Sequence, residues 1–166
     1  QVTTFMDEHF SSTKRYTEDK ILTKTMINNY TKNNLLPPSV KKKYSREHML
    51  LLILIYYFKN ILSIKDIETV LEPLREKYFS TDSALQLSDI YREVCEMEKS
   101  RIEPMKASVR EAYGKSQSSF ENVPDGEEKD KLQLFTFICS LSFDVYLKKM
   151  MIEKIVDELA SKDKKE

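Results

Sequence analysis

Glycine occurs only twice in this chain of 166 residues, and that scarcity limits the available folds more than any other feature. A β-sandwich needs many turns with positive φ, and a nucleotide-binding loop needs several glycines in one short motif. Apolar residues make up 40% of the chain and charged residues 33%, a mixture typical of folded, charge-rich helical proteins. We therefore predict an all-α, mainly helical fold.

The most apolar run, HMLLLILIYYF, is shorter than the roughly 20 residues that a membrane-spanning helix needs. A second apolar stretch, 132–151, is interrupted by Gln133, Asp144 and two lysines. Both stretches are typical of buried helices, so we expect no membrane partner. No signal peptide is visible and the first residue is Gln, so we expect a cytoplasmic protein whose reading frame starts further upstream.

The spacing of apolar residues and the positions of capping residues predict six helices. They are 2–10, 23–34 with Thr23 or Thr25 as N-cap, 46–59 after Ser45, a short helix from Ser63 that ends at Pro73, 82–113 and 127–161. Pro104 lies inside the fifth helix and should kink or break it. We divide the chain into an N-terminal domain, 1–78, and a helical C-terminal domain, 79–166, for dimerisation or for binding an effector or partner.

Apolar residues at helical spacing predict the buried sides of the two C-terminal helices. The candidates are Leu85, Ile90, Val94 and Met97 in the first helix, and Leu134, Ile138, Leu141, Val145, Ile152, Ile155 and Leu159 in the second. Cys95 and Cys139 have no CxxC spacing and no clustered histidine, so neither a disulfide nor a zinc site is indicated. We expect both to be ordinary thiols in or near the core.

No pattern in the chain indicates catalysis. The two histidines, His9 and His48, have no serine or cysteine partner at a suggestive spacing and belong to no HExxH motif. Glycine-rich phosphate-binding loops are absent. We therefore predict that the protein is not an enzyme and that it uses no cofactor or metal.

The stretch MINNYTKNNLLPP contains a helix with two different sides. Thr23, Met26, Ile27 and Tyr30 fall on one side, Lys24, Thr25, Asn28 and Lys32 on the other, and Asn29 and Thr31 flank them. Asparagine suits bidentate contact with adenine, and lysine suits guanine or phosphate. The polar side could equally be a solvated helix face, and Tyr30 could be a core residue; both alternatives remain open at this point.

A basic segment surrounds this helix, although the whole chain has zero net charge. Residues 14–48 contain nine Lys or Arg against three Asp or Glu, a net charge of +6. After the helix come Lys41, Lys42, Lys43, Tyr44 and Arg46, in a connector short enough for a tight hairpin. A basic patch of this kind favours a polyanionic partner. We predict that 23–34 is a recognition helix for double-stranded DNA and that 41–46 is a basic wing.

The order of these motifs resembles the DNA-binding half of MerR-type regulators. The residues involved are Tyr30, Leu35, Leu36 and Pro37 at the end of the recognition helix, with Asn34 in place of a glycine, then Lys42 and Tyr44 in the wing, and Ser63, Ile64, Ile67 and Leu71 in the last helix. The whole chain is similar to the YkrK-like bacterial family of transcriptional regulators. The resemblance implies an N-terminal winged helix-turn-helix followed by a helical C-terminal part.

Two hypotheses follow. In the first, the protein is a homodimeric, sequence-specific DNA-binding regulator, and a small-molecule effector pocket among the C-terminal aromatic residues fits within it. In the second, it is a protein-interaction module that keeps the helix-turn-helix fold without binding DNA, because fold does not fix function. The aromatic segment 132–146 would then form a partner groove, unless it is plain core.

Overall fold

The computed structural model of the protein describes residues 2–79 and 84–162, and over these ranges the chain forms six α-helices. They are α1 Val2–Phe10, α2 Lys24–Lys32, α3 Arg46–Phe58, α4 Ile64–Lys77, α5 Leu87–Gln117 and α6 Glu127–Lys162. A 3-10 turn, Ser11–Thr13, follows α1. Among the described residues the only β-pairing is a single bridge between Val40 and Lys43. The prediction of an all-α fold is confirmed.

The chain divides into two compact units, and α5 and α6 each contribute to both. The first unit contains 1–92 and 155–166, and the second contains 93–154. In the first unit the core is built around α3, which is apolar on nearly all sides. The most deeply buried side chains of this unit are Met6, Leu35, Leu36, Leu51, Leu52, Ile55, Ile67, Leu71 and Leu87. They come from five helices or their flanking residues, so most elements of the unit contribute to its core.

Side-chain caps fix where three helices begin. The Thr23 hydroxyl accepts a hydrogen bond from the backbone N–H of Met26 at 3.1 Å, so Thr23, not Thr25, caps α2. Ser63 accepts from the N–H of Asp66, and the Asp66 carboxylate accepts in return from the N–H of Ser63, each at 3.2 Å. Ser45 caps α3 in the same reciprocal way. These bonds satisfy backbone donors that a helix N-terminus otherwise leaves unpaired.

The predicted end of α4 at Pro73 was wrong, and Pro104 does not break α5, because both helices continue past the proline. α4 passes Pro73 and ends at Lys77, and α5 passes Pro104 and ends at Gln117. An internal proline costs roughly 3 kcal/mol, which neighbouring interactions can offset. Around Pro104 the sequence consists of good helix formers, and Glu103 pairs with Lys106 at 2.8 Å across the proline. The predicted start of this helix at residue 82 lies outside the described residues.

The apolar stripes predicted to be buried in the two C-terminal helices are largely exposed. Exposed fractions are 46% for Leu85, 39% for Val94, 56% for Met97, 54% for Leu134, 53% for Ile138, 65% for Val145 and 62% for Ile155. Ile90, Leu141, Ile152 and Leu159 are partly buried. Cys139 is exposed as well, so its expected place in or near the core was wrong, whereas Cys95 is partly buried. Periodicity shows which side of a helix needs covering, but not that the same chain covers it.

We expect replacement of Ile67 by alanine to destabilise the protein, because this side chain is fully buried between α4 and its neighbours. Deleting a buried isoleucine costs about 2–5 kcal/mol. The matched control is Ile61→Ala, because Ile61 is 42% exposed. This substitution should lower the free energy of unfolding by less than about 1 kcal/mol. Urea denaturation followed by circular dichroism measures both. Equal losses in the two variants would contradict the packing described for α4.

Candidate nucleic-acid interface

Helix α2 buries one side and exposes the other, as its sequence pattern predicts. Ile27 and Tyr30 are each 5% exposed, and burial raises the pKa of the Tyr30 hydroxyl. Tyr30 is therefore a core residue and is not available to DNA. The side chains left exposed along the helix are Lys24, Thr25, Asn28, Asn29 and Lys32. They form a continuous polar surface of amides, one hydroxyl and two ammonium groups.

The end of α2 is closed by a Schellman arrangement centred on Asn34. Asn34 has φ of 55°, the left-handed conformation that this motif requires after the helix. The N–H of Leu35 donates to the carbonyl of Tyr30 at 2.9 Å, and the N–H of Asn34 donates to that of Thr31 at 3.3 Å. The Asn34 amide also donates to the Glu68 carboxylate at 3.1 Å, which ties this turn to α4. The direction in which the chain leaves α2 is thereby fixed.

The basic connector forms the tight hairpin that its length predicts. Val40 and Lys43 exchange two backbone hydrogen bonds of 3.1 and 2.9 Å around Lys41 and Lys42. These two lysines have φ of 49° and 61°, as a two-residue type I′ turn requires. Asparagine and glycine are favoured at such positions, and a side chain with a bulky stem is strained there. Two lysines therefore occupy the tip at a cost in stability, which suggests a role for their charge.

A buried histidine, His48, joins the base of the hairpin to α3. Its Nδ1 accepts from the backbone N–H of Ser45 at 3.0 Å, which leaves Nε2 to donate to the Pro38 carbonyl at 3.4 Å. Its ring lies edge-on to Tyr44 at 5.4 Å and to Phe79 at 4.8 Å. His48 was expected to have no serine partner, but its Nδ1 also lies 2.9 Å from the Ser45 hydroxyl. Its position three residues after the N-cap serine was the available signal for this bracing role.

One open groove of about 940 Å³ brings α2 and the hairpin together. It is lined by Val2, Thr3, Phe5, Lys24, Ile27, Asn28, Lys42, Lys43, Tyr44 and Met49. Five of these ten residues belong to the predicted DNA-binding set: Lys24, Asn28, Lys42, Lys43 and Tyr44. The other predicted residues, Thr25, Asn29, Lys32, Lys41 and Arg46, are exposed but do not line the groove. The lining therefore combines apolar side chains, such as Ile27 and Met49, with three lysines.

The cations of this surface are not neutralised within the described residues. None of Lys24, Lys32, Lys41, Lys42, Lys43 and Arg46 has a carboxylate oxygen within 4 Å there. In contrast, α5 and α6 hold several of their basic side chains in ion pairs three or four residues apart, such as Lys99 with Glu96 at 2.6 Å. The unpaired charge on α2 and the hairpin is therefore free to attract an anionic partner.

The described residues show neither a metal-binding cluster nor a membrane-spanning helix. Across 2–79 and 84–162 no three His, Cys, Asp or Glu side chains are grouped so that they could hold a metal ion. In the same ranges no helix combines the length and the apolar character needed to cross a membrane.

We expect the double substitution Lys41→Asn with Lys42→Gly to raise the free energy of unfolding by about 1 kcal/mol. Both new residues adopt positive φ with less strain, which stabilises the folded hairpin. Glycine also increases the conformational entropy of the unfolded chain, which offsets part of this stabilisation. Chemical denaturation measures the change. Lys41→Ala with Lys42→Ala removes the same charges without relieving the backbone, so it should give no such gain. A gain of the same size in both variants would mean that charge repulsion, not backbone strain, destabilises the hairpin.

Comparison with known proteins gives a family and no function. Searches among curated proteins and among solved structures found no match to this chain. Residues 1–94 match the family described as "Domain of unknown function (DUF1836)". The match covers more than half of the chain and includes α1 to α4, the hairpin and the groove. The chain therefore belongs to the DUF1836 family.

Proposed function

We propose that the protein is a sequence-specific, double-stranded-DNA-binding transcriptional regulator that works in the cytoplasm. One observation supports this more than any other. The first unit contains the exposed amides of α2 and six cations, on α2, the hairpin and the start of α3, that have no ion-pair partner among the described residues. Half of the proposed contact residues line a single groove. A polyanion with readable base edges is the partner that suits both groups.

In this proposal α2 enters the major groove with its exposed side toward the bases. A helix fits the width of that groove, and asparagine can bond adenine through two hydrogen bonds. Asn28 and Asn29 would then contact base edges, whereas Lys24 and Lys32 would contact guanine or phosphates. Thr25, in the first turn of α2, would reach a phosphate or a thymine methyl group.

The hairpin would serve as a wing on the DNA backbone. Its three lysines, together with Arg46 in the first turn of α3, would present their positive charge to the phosphates. Phosphate contacts of this kind set the register and orientation of a protein on DNA, but carry no sequence information. His48 would act as a positioning residue, because it holds the base of the hairpin against α3.

The proposal includes a MerR-like arrangement of the kind expected for YkrK-like regulators. The order of elements supports it: α1 and α2, then a basic two-residue hairpin, then two helices that both begin at a capping serine. Asn34 supports it as well, because its left-handed conformation supplies what the MerR pattern obtains from glycine.

The test is fluorescence anisotropy of a labelled DNA fragment from upstream of the protein's own gene, with an unrelated duplex as control. We expect tighter binding to the cognate fragment at every salt concentration. If all six cations contact phosphates, the slope of log affinity on log salt should approach about −5. No binding to either duplex at low salt, or binding without salt dependence, would overturn the proposal.

Two variants separate base contacts from phosphate contacts. Asn28→Ala should remove about 1–3 kcal/mol of discrimination between the two duplexes. Lys41→Asn with Lys42→Gly keeps the hairpin, and should weaken binding to both duplexes and make the salt slope shallower by about 2. Lys99→Ala, on α5, is the matched control and should change neither quantity.

The exposed apolar side chains of the second unit favour a different candidate, a protein-interaction module that does not bind DNA. It predicts that Lys24, Asn28 and Lys32 can all be replaced by alanine without any effect on binding. The anisotropy series distinguishes the two candidates. A DNA-binding regulator binds the cognate duplex and the triple variant loses that affinity, whereas the interaction module gives no DNA binding with or without the substitutions.

A further inference from the structure

The middle of α6 exposes a broad apolar side that nothing in the second unit covers. Its exposed members include Phe135, Ile138, Phe143, Val145, Tyr146 and Met150, with exposed fractions between 42% and 65%. At 3.6 residues per turn they spread over roughly half of the helix circumference. A helix with so wide an apolar surface is normally covered by a neighbour. We call this surface, within residues 135–150, the apolar side of α6.

Within the second unit, α5 meets α6 on a different and more polar side. The Gln133 amide is buried and donates to the carbonyls of Gln117 and Ser119 at 2.7 and 3.1 Å. Further along, the gap between the helices is lined mainly by polar and charged side chains: Ser108, Glu111, Ala112, Lys115, Ser116, Thr136, Ser140 and Asp144. Contact within the unit therefore leaves the apolar side of α6 free.

The distribution of charge along α6 indicates what covers that side. No charged residue occurs between Lys131 and Asp144, and Asp144 lines the gap to α5. On the helical wheel, Lys131 and Glu153 lie close to the line of Ser142, each 11 positions from it. Lys149, which pairs with Glu153, lies near the same line and is the one charged residue inside the apolar side. In two antiparallel helices related by a two-fold axis near Ser142, the positive charge at one end of each helix lies opposite the negative charge of the other.

We propose that the second unit binds a second copy of the chain, with α6 antiparallel to α6 and the two-fold axis near Ser142. Lys131 of each copy then lies opposite Glu153 of the other, whereas a parallel arrangement would place like charges together. Both side chains are exposed in their present pairs with Glu127 and Lys149, so they are free to exchange partners. Ser142 at the axis lets the helices approach closely, and Ile138 of each copy faces Tyr146 of the other.

This inference does not rest on DNA binding, since it uses no residue of α2 or the hairpin. Light scattering after size exclusion should give about twice the 19.6 kDa of one chain. In a background with Cys95→Ser and Cys139→Ser, the substitution Ser142→Cys should give a disulfide-linked dimer under mild oxidation. Ser140→Cys, on the side of α6 that faces α5, is the matched control and should stay a single chain on a non-reducing gel.

A charge exchange tests the register independently of cross-linking. Ile138→Lys and Tyr146→Glu should each weaken the dimer at least tenfold, and the double variant should recover part of that loss. Circular dichroism establishes that each variant remains helical.

A monomer at all concentrations would overturn the proposal. In that case co-flotation with phosphatidylglycerol vesicles would indicate a lipid-binding surface, and its absence would exclude one. A dimer that cross-links through position 140 and not 142 would also overturn the proposal.

Discussion

The first unit depends on the need to cover α3 on almost every side. The helix is apolar around most of its circumference, so one neighbour cannot keep it from water. Met6 of α1, the leucine pair after α2, and Ile67 and Leu71 of α4 are all fully buried in the same unit. The polar side of α2 faces outward because its other side, with Ile27 and Tyr30, is buried in the core of the unit. The surface proposed for DNA is thus the side of α2 that remains once Ile27 and Tyr30 are buried in the core.

Local interactions explain why much of this unit could be predicted from sequence. A cap, a capping box or a Schellman turn involves residues within about six positions of one another, and the residue types that form them are few. Thr23, Ser45 and Ser63 could be recognised as helix starts, and the asparagine pair as the end of α2, for this reason. The burial of Ile27 and the exposure of Asn28 follow from helical periodicity alone.

Other features depend on interactions that sequence patterns do not record. Whether a helix passes a proline depends on the balance between one lost hydrogen bond and the contacts on either side of it, as at Pro73 and Pro104. The position of His48 depends on Pro38, ten residues away, and on Phe79, still further along the chain. The stripe on α6 was recognised correctly as apolar. Its exposure was missed because periodicity does not distinguish a partner within the chain from one outside it.

The division of the chain affects how fragments of this family should be chosen. The family match ends at residue 94, only a few residues into α5, but the compact unit also includes 155–166. Val156 lies in that returning segment and is 4% exposed. A fragment cut where the family match ends would therefore lose a buried side chain and truncate α5 after two turns. Expression of the DUF1836 segment alone should give a less cooperative, more aggregation-prone product than the longer chain.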